Sequence, residues 1–222
     1  MNSVRLYYIK HRGENDLAQI DAMRVEQWLS ALSSQKQASI QRLIHYRNRV
    51  TSLAGLRLLS LCAEDEGFGN FKLSDVQYPD TGKPFWKNNK DYFDFNISHS
   101  GNLIVLAASA ALKVGVDVEQ IRHLKRLSFK RIMSADELAE IQQTPVLFFD
   151  LWSKKEAVVK AADTVGLARM SDVSLKQNMA VLDEKQWFLK SINLDDQYAV
   201  NIATSKAVDE LIVKQIQIKN LK

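Results

Sequence analysis

Asp117 and Glu119 stand in KVGVDVEQ, Lys113 to Gln120, a segment that otherwise reads as a valine-rich buried strand. Strand side chains alternate, so Val114, Val116 and Val118 fall on one face and Gly115, Asp117 and Glu119 on the other. At ~3.3 Å of rise per residue the two acids have Cα atoms about 6.5 Å apart, close enough for both carboxylates to reach one cation. A bound Mg²⁺ would relieve their repulsion; on a solvent-facing strand end they would be two unrelated acids. Glu156 and Lys160 form a second pair, at i and i+4 of LWSKKEAVVKA, beside an apolar arc of Phe148, Leu151, Val158, Val159 and Ala162. They are either an ordinary helix ion pair or an acid and a cation offered to a site. Lys155 falls inside the apolar arc, as a snorkelling stem or as a lysine aimed into a cleft. In FNISHSG, Ser98 and His99 end a strand before a glycine. Nothing nearby completes a catalytic triad, which argues against a Ser-His hydrolase, whereas a phosphate would use both side chains. Lys83, in the turn TGKPF, is either a solvated turn lysine or one more cation for an anion.

These groups need elements to hold them. VRLYYI, residues 4–9, is strand-like, and from Ala22 the spacing of Val25, Trp28, Leu29 and Leu32 predicts an amphipathic helix. SSQKQASIQRLI restarts a helix with Ser33 or Ser34 as N-cap, and NRVTSLAGLRLLSLCAEDE is a long apolar helix ended by GFGN. Strands follow: LSDVQY, then the turn cluster PDTGKP, then YFDFNISHS with Phe93, Phe95 and Ile97 alternating against Asp94, Asn96 and Ser98, then NLIVLAASA as a central strand. After KVGVDVE, a basic segment and SADELAEIQQ read as helical, LFFDLWSKKEAVVKAAD as a strong helix, and VSL, WFLKSIN and YAVNIAT as closing strands. Helices then strands, twice over, predict an α+β protein of two halves, residues 1–110 and 111–222.

At 222 residues the chain is long for one average domain and short for two. Its 46% hydrophobic and 25% charged residues, with 8 Gly and 3 Pro, fit a soluble globular protein and exclude a disordered or collagen-like one. The single cysteine, Cys62, cannot form an internal disulfide and sits in an apolar helical pattern, which predicts a buried, inert thiol in a reducing compartment. MNSVRLYYIKHRGEN has no apolar leader, and the longest apolar run, LIVLAASAAL, is too short to span a bilayer, so a cytoplasmic chain with no membrane partner is expected. The formal charge of +4 favours an acidic or phosphorylated partner. Without a helix-turn-helix signature, zinc-ligand spacing or an RNP-type aromatic run, nucleic acid is not the expected one.

FNISHSG, VGVDVE and LWSKKEAVVKA, in this order and at this separation, closely resemble the 4′-phosphopantetheinyl transferases of the surfactin-synthetase-activating type. The motif core covers roughly residues 83–162, and length and element order extend a looser match over nearly the whole chain. The resemblance implies a pseudo-dimer of two similar α+β halves. It also implies transfer of the phosphopantetheine arm of coenzyme A to a serine of an acyl or peptidyl carrier protein, with release of adenosine 3′,5′-bisphosphate. By position, Asp117, Glu119 and Glu156 would hold Mg²⁺, or Mn²⁺, with the coenzyme pyrophosphate. Ser98 and His99 would bind phosphate oxygens, and Lys83 would reach the coenzyme phosphates. Lys160 would neutralise charge on the leaving bisphosphate, and Glu156 would draw the proton from the carrier serine. His99, Glu156 and Lys160 are thus the implied catalytic set.

Lys36 falls where the family has a cation for the 3′-phosphate, but the next turn offers Ser39 instead of a second lysine. Where the family has an acid and then a basic residue, this chain reads YRNRVTSLAG, with Thr51 and Ser52 at the matching turn and Arg47 or Arg49 as substitutes. The segment IRHLKRLSFKR lies near the family's carrier-docking surface, so Arg122, Lys125, Arg126 and Lys130 would steer an acidic carrier towards a monomeric enzyme. A Mg²⁺-dependent phosphohydrolase acting on coenzyme A or a nucleotide would reuse the same acids and lysines. A binding protein that kept the fold and lost turnover is a third reading.

Overall fold

The computed structural model describes residues 1–17, 20–87, 91–123, 131–164 and 166–221. The first part of the chain runs β1 (Ser3–Lys10), α1 (Glu14–Leu17), α2 (Ala22–Ser30), α3 (Ser34–Gln41) and α4 (Tyr46–Asp65), then β2 (Val76–Gln77), β3 (Phe85–Trp86), β4 (Asp94–Ser100) and β5 (Leu103–Ser109). The second runs β6 (Val114–Gln120), α5 (Ala135–Gln143), α6 (Leu147–Ala161), α7 (Leu167–Ser171), β7 (Ser174–Lys176), β8 (Met179–Leu182), β9 (Lys185–Ser191), β10 (Tyr198–Thr204) and β11 (Glu210–Gln215). This is an α+β fold of two similar halves, with strands in the orders β11-β1-β5-β4 and β6-β10-β9-β8-β7.

Period-two alternation places the cores. Tyr7 and Ile9 on β1, and Ile104, Leu106 and Ala108 on β5, face α4, which buries Val50, Leu53, Ala54, Leu58 and Leu59 against them. Val4, Leu6, Leu103, Val105 and Ala107 face the other way and meet Val114, Val116, Val118, Val200 and Ile202 of the second sheet. Ala199 and Ala203 of β10 lie under α6 with Ala157, Val158 and Ala161. The layers are therefore helix, sheet, sheet, helix. β5 is buried along its whole length, as its unbroken apolar run requires.

The two sheets meet along a seam that is not a backbone ladder. β6 pairs antiparallel with β10 on one side. On its other side, the N–H of Val114 donates to Asp94 Oδ2 (2.8 Å), that of Val116 to Asn96 Oδ1 (3.0 Å) and that of Gln120 to Ser100 Oγ (3.1 Å). The polar row of β4, two residues apart, thus satisfies backbone donors that burial would otherwise strand.

Four readings from sequence change. The last strand, β11, returns to pair parallel with β1, so residues 210–215 lie in the first sheet instead of with the second half. LSDVQY forms a 3₁₀ turn over Leu73–Asp75 and only a two-residue strand. Residues 121–123, the start of the basic segment expected to be helical, are not helical; Leu124 to Lys130 lie outside the described residues. Lys155 does not snorkel to solvent: it is 2% exposed in the wall of a cleft between α5, α6 and β7, bridged to Glu137 Oε2 (3.0 Å) and donating to the carbonyls of Ile132 (3.1 Å) and Val173 (3.0 Å). Among the described residues no helix is long and apolar enough to cross a membrane.

Candidate active site

Gly115 determines how closely α6 approaches β6. A Cβ at Gly115 would lie 2.1 Å from the Ala157 carbonyl oxygen and 2.5 Å from the Ala161 nitrogen, so only glycine admits the helix there. Ser153 Oγ donates to the Asp117 carbonyl (3.0 Å) and fixes the helix along the strand. The consequence is that Glu156, one turn further on, reaches the acids of β6. Asp117, Glu119 and Glu156 each present one carboxylate oxygen, all within 4.8 Å of one another.

Lys160 closes the cluster. Its Nζ donates to Asp117 Oδ1 (2.7 Å) and Ser98 Oγ (3.2 Å) and pairs with Glu156 Oε1 (3.2 Å). Burial lowers its affinity for a proton, but Asp117 and Glu156 together outweigh that and raise its pKa. Ser98 Oγ donates to the same Asp117 oxygen (2.9 Å). Asp117 Oδ2 is buried and has no hydrogen-bond partner among the described residues. Glu119 is pushed up to about 7, first by burial and then by the charges of Asp117 and Glu156. Three carboxylates against one ammonium leave two net negative charges when all are ionised. The three carboxylates, with the unpaired Asp117 oxygen among them, could together hold one metal ion through oxygen ligands.

Two cavities open on the α4 side of β4, and His99 lines both. One, of about 200 Å³, is walled by Lys36, Ser52, Leu56, Tyr78 and Phe95. The other, of about 430 Å³, is walled by His45, Arg47, Thr51 and Ser100. His99 is exposed at their junction, and its pKa is lowered by desolvation and then by the Lys160 charge. Lys36 lies over the Tyr78 ring (4.6 Å), with its pKa lowered by burial. Arg47 donates to the Gly101 carbonyl (2.8 Å) and Asn102 Oδ1 (2.9 Å) at the second cavity, whereas Arg49 donates to the carbonyls of Leu43 and Gln41 and braces the end of α3. Thr51 and Ser52 line one cavity each, and Ser39 lines neither. A larger cleft, of about 720 Å³ between α5, α6 and β7, contains none of these groups, and its lining cations and acids balance.

Ser98 and His99, expected to share one phosphate, point to opposite faces of β4: Ser98 belongs to the acid cluster and His99 to the cavities. Lys83, expected to reach a phosphate, lines neither cavity. Its ammonium is buried, bridged to Asp94 Oδ2 (2.6 Å) and donating to the Val114 carbonyl (2.7 Å). Cys62 is buried in α4 and its thiol is pushed up to about 12 by desolvation, an inert group. The sequence reading missed Trp152, whose Nε1 donates to Glu156 Oε2 (3.0 Å). Its position four residues before Glu156 was the available signal.

A model of the 4′-phosphopantetheinyl transferase superfamily matches residues 113–210, and a model of the 4′-phosphopantetheinyl transferase N-terminal region matches residues 21–111. The chain is 32% identical over 126 residues to 4′-phosphopantetheinyl transferase psf-1 of Bacillus pumilus, covering 51% of this chain and 54% of that protein. It is 28% identical over 201 residues to the 4′-phosphopantetheinyl transferase of Bacillus subtilis, covering 84% and 88%. To the L-aminoadipate-semialdehyde dehydrogenase-phosphopantetheinyl transferase of Mus musculus it is 28% identical over 218 residues, covering 81% and 70%. The match thus spans about half the length of the first relative and most of the second.

Proposed function

We propose, from the family models that match its two parts, that the chain is a member of the 4′-phosphopantetheinyl transferase superfamily and moves the phosphopantetheine arm of coenzyme A onto a serine of an acyl or peptidyl carrier protein. The observation that carries this reading is the cluster of Asp117, Glu119 and Glu156, with its orphaned Asp117 oxygen and Lys160 beside it, next to two cavities that share His99. We assign the chain to the surfactin-synthetase-activating type, because β4 of one half and β6 and α6 of the other come from a single polypeptide. The same fact supports a working monomer.

In the reaction the carrier serine Oγ forms a bond to the pantetheine-side phosphorus. The bond from that phosphorus to the bridging oxygen breaks, and adenosine 3′,5′-bisphosphate leaves with its electrons. Asp117, Glu119 and Glu156 would hold a divalent cation, Mg²⁺ or Mn²⁺, which would compensate pyrophosphate charge when bound. Glu156 takes the serine proton, held in orientation by Trp152. Lys160 offsets negative charge growing on the leaving group, which its raised pKa keeps possible across the neutral range. His99 and Arg47 hold phosphate oxygens, and Lys36 with Tyr78 takes the nucleoside end in the smaller cavity. Ser98 holds Asp117 and Lys160 in place. Positioning and charge compensation supply most of the acceleration in such a displacement.

Arg122 is exposed two residues after Gln120. With Lys125, Arg126 and Lys130 of the same stretch it would steer an acidic carrier to the site, acting on association rate more than on affinity. The test is intact-mass measurement of an apo carrier protein incubated with this protein, coenzyme A and Mg²⁺. One added arm per carrier is expected. An unchanged carrier across acyl and peptidyl types refutes the proposal, and adenosine bisphosphate released without any carrier would favour hydrolysis instead.

A further inference from the structure

Lys83 ties β4, β6 and the chain just past α6 to one another without lining either cavity. Its Nζ lies 2.6 Å from Asp94 Oδ2 on β4 and donates to the Val114 carbonyl of β6 at 2.7 Å. Its backbone N–H donates to Asp163 Oδ1 (2.8 Å), just past the end of α6. Asp163 has φ of +60°, and a Cβ on the preceding Gly82 would meet that same carboxylate oxygen at 3.0 Å, so the turn is fitted closely to the helix end. Asp94 Oδ2 also accepts the Val114 N–H, so one lysine and one aspartate hold both backbone groups of Val114.

β4 and β6 belong to different sheets, and along the seam β4 side chains accept the N–H groups of β6. Their relative position decides where His99 and the cavities stand with respect to Asp117 and Glu119. Beside the apolar packing of the two sheets and the neutral side-chain bonds to β6 backbone, the Lys83–Asp94 ion pair adds a charged tie at the start of the seam. Turning the Lys83 ammonium out to a phosphate would break two hydrogen bonds and leave a partly buried Asp94 without its cation, which is unfavourable.

We infer that Lys83 is a positioning residue that locks the coenzyme-binding half to the acid cluster through Asp94 and Val114, and that it is not a phosphate ligand. The inference rests on the transferase reading for its effect on turnover, but not for its effects on binding. Lys83→Met, Asp94→Asn and the double variant are compared with Lys36→Met, a change inside the smaller cavity. Coenzyme A affinity is read by calorimetry, the cation site by the Mg²⁺-induced rise in melting temperature, and turnover by kcat and KM with an apo carrier.

Lys83→Met and Asp94→Asn are each expected to lower kcat by about 10- to 100-fold, the scale of small misplacements at a reacting centre. Both should reduce the Mg²⁺-induced rise and leave coenzyme Kd and KM within about twofold of the parent, as uniform binding is untouched. The double variant should be no worse than either single one. Lys36→Met should instead raise coenzyme Kd. The inference is overturned if Lys83→Met raises coenzyme Kd about tenfold or more while Asp94→Asn does not. Should Lys83→Met not fold, Asp94→Asn decides alone: unchanged kcat and an unchanged Mg²⁺ response refute the lock. A parent that transfers no arm removes the transferase reading, while the calorimetric and melting measurements still judge Lys83.

Discussion

Glu119→Gln should stabilise the cation-free protein above neutral pH, although it removes a group of the candidate cation site. The Glu119 carboxyl is raised from 4.5 to about 7 by burial and by Asp117 and Glu156. The folded chain therefore holds this proton more tightly than the unfolded chain does. The favourable contribution is complete below about pH 4.5 and is lost as pH rises through 7, because the unfolded state gives up the proton first. That difference in proton affinity corresponds to at most about 3 kcal/mol, and partial exposure of the carboxylate reduces this to about 1–2 kcal/mol. Glutamine has nearly the same shape and no charge to bury.

In a chain of this length the gain corresponds to a melting temperature higher by about 2–8 °C at pH 8. The difference should vanish near pH 4.5. Added Mg²⁺ should raise the parent's melting temperature, because a ligand that binds only the folded state stabilises it by mass action, and should raise the variant's less. Thermal melts of both proteins at pH 4.5, 6 and 8, with and without Mg²⁺, make the comparison. A variant less stable than the parent at pH 8 without cation, or a difference independent of pH, refutes the idea that the cluster is held under charge repulsion awaiting a cation.

Gly115→Ala puts a methyl group into the Ala157 carbonyl and should lower stability by about 1–3 kcal/mol while abolishing the Mg²⁺ response, read in the same melts. Trp152→Phe keeps the ring and removes the donor to Glu156. It should lower kcat about tenfold at unchanged coenzyme KM, as expected for one hydrogen bond to a charged group. Arg47→Ala should raise coenzyme Kd, whereas Arg49→Ala, whose guanidinium braces the end of α3, should lower the melting temperature and leave Kd alone; calorimetry beside melting separates the two.

What could be read from the sequence was whatever a local period decides. The alternation in KVGVDVE fixes Asp117 and Glu119 on one face, and the four-residue step fixes Glu156 beside Lys160, so these groups were legible before any fold was known. The partner of each face was not. Asp94, Asn96 and Ser98 looked like the polar side of a half-exposed strand, because alternation says that a row is polar and not whether water or another backbone lies opposite. Here the opposite surface is the free edge of β6, and Asp94 and Asn96 accept its N–H groups. Lys83 and Lys155 mislead for the same reason. A lysine in a turn or in an apolar arc reads as solvated or snorkelling by composition, yet each is buried where carbonyls and a carboxylate from distant segments converge. The return of β11 to β1 is likewise a contact across some 200 residues, which no window of local spacing contains. The three carboxylates and Lys160 of this site are local to two short motifs. Its geometry depends on long-range contacts, and the experiments above that vary Gly115, Lys83 and Asp94 probe the second while leaving the first unaltered.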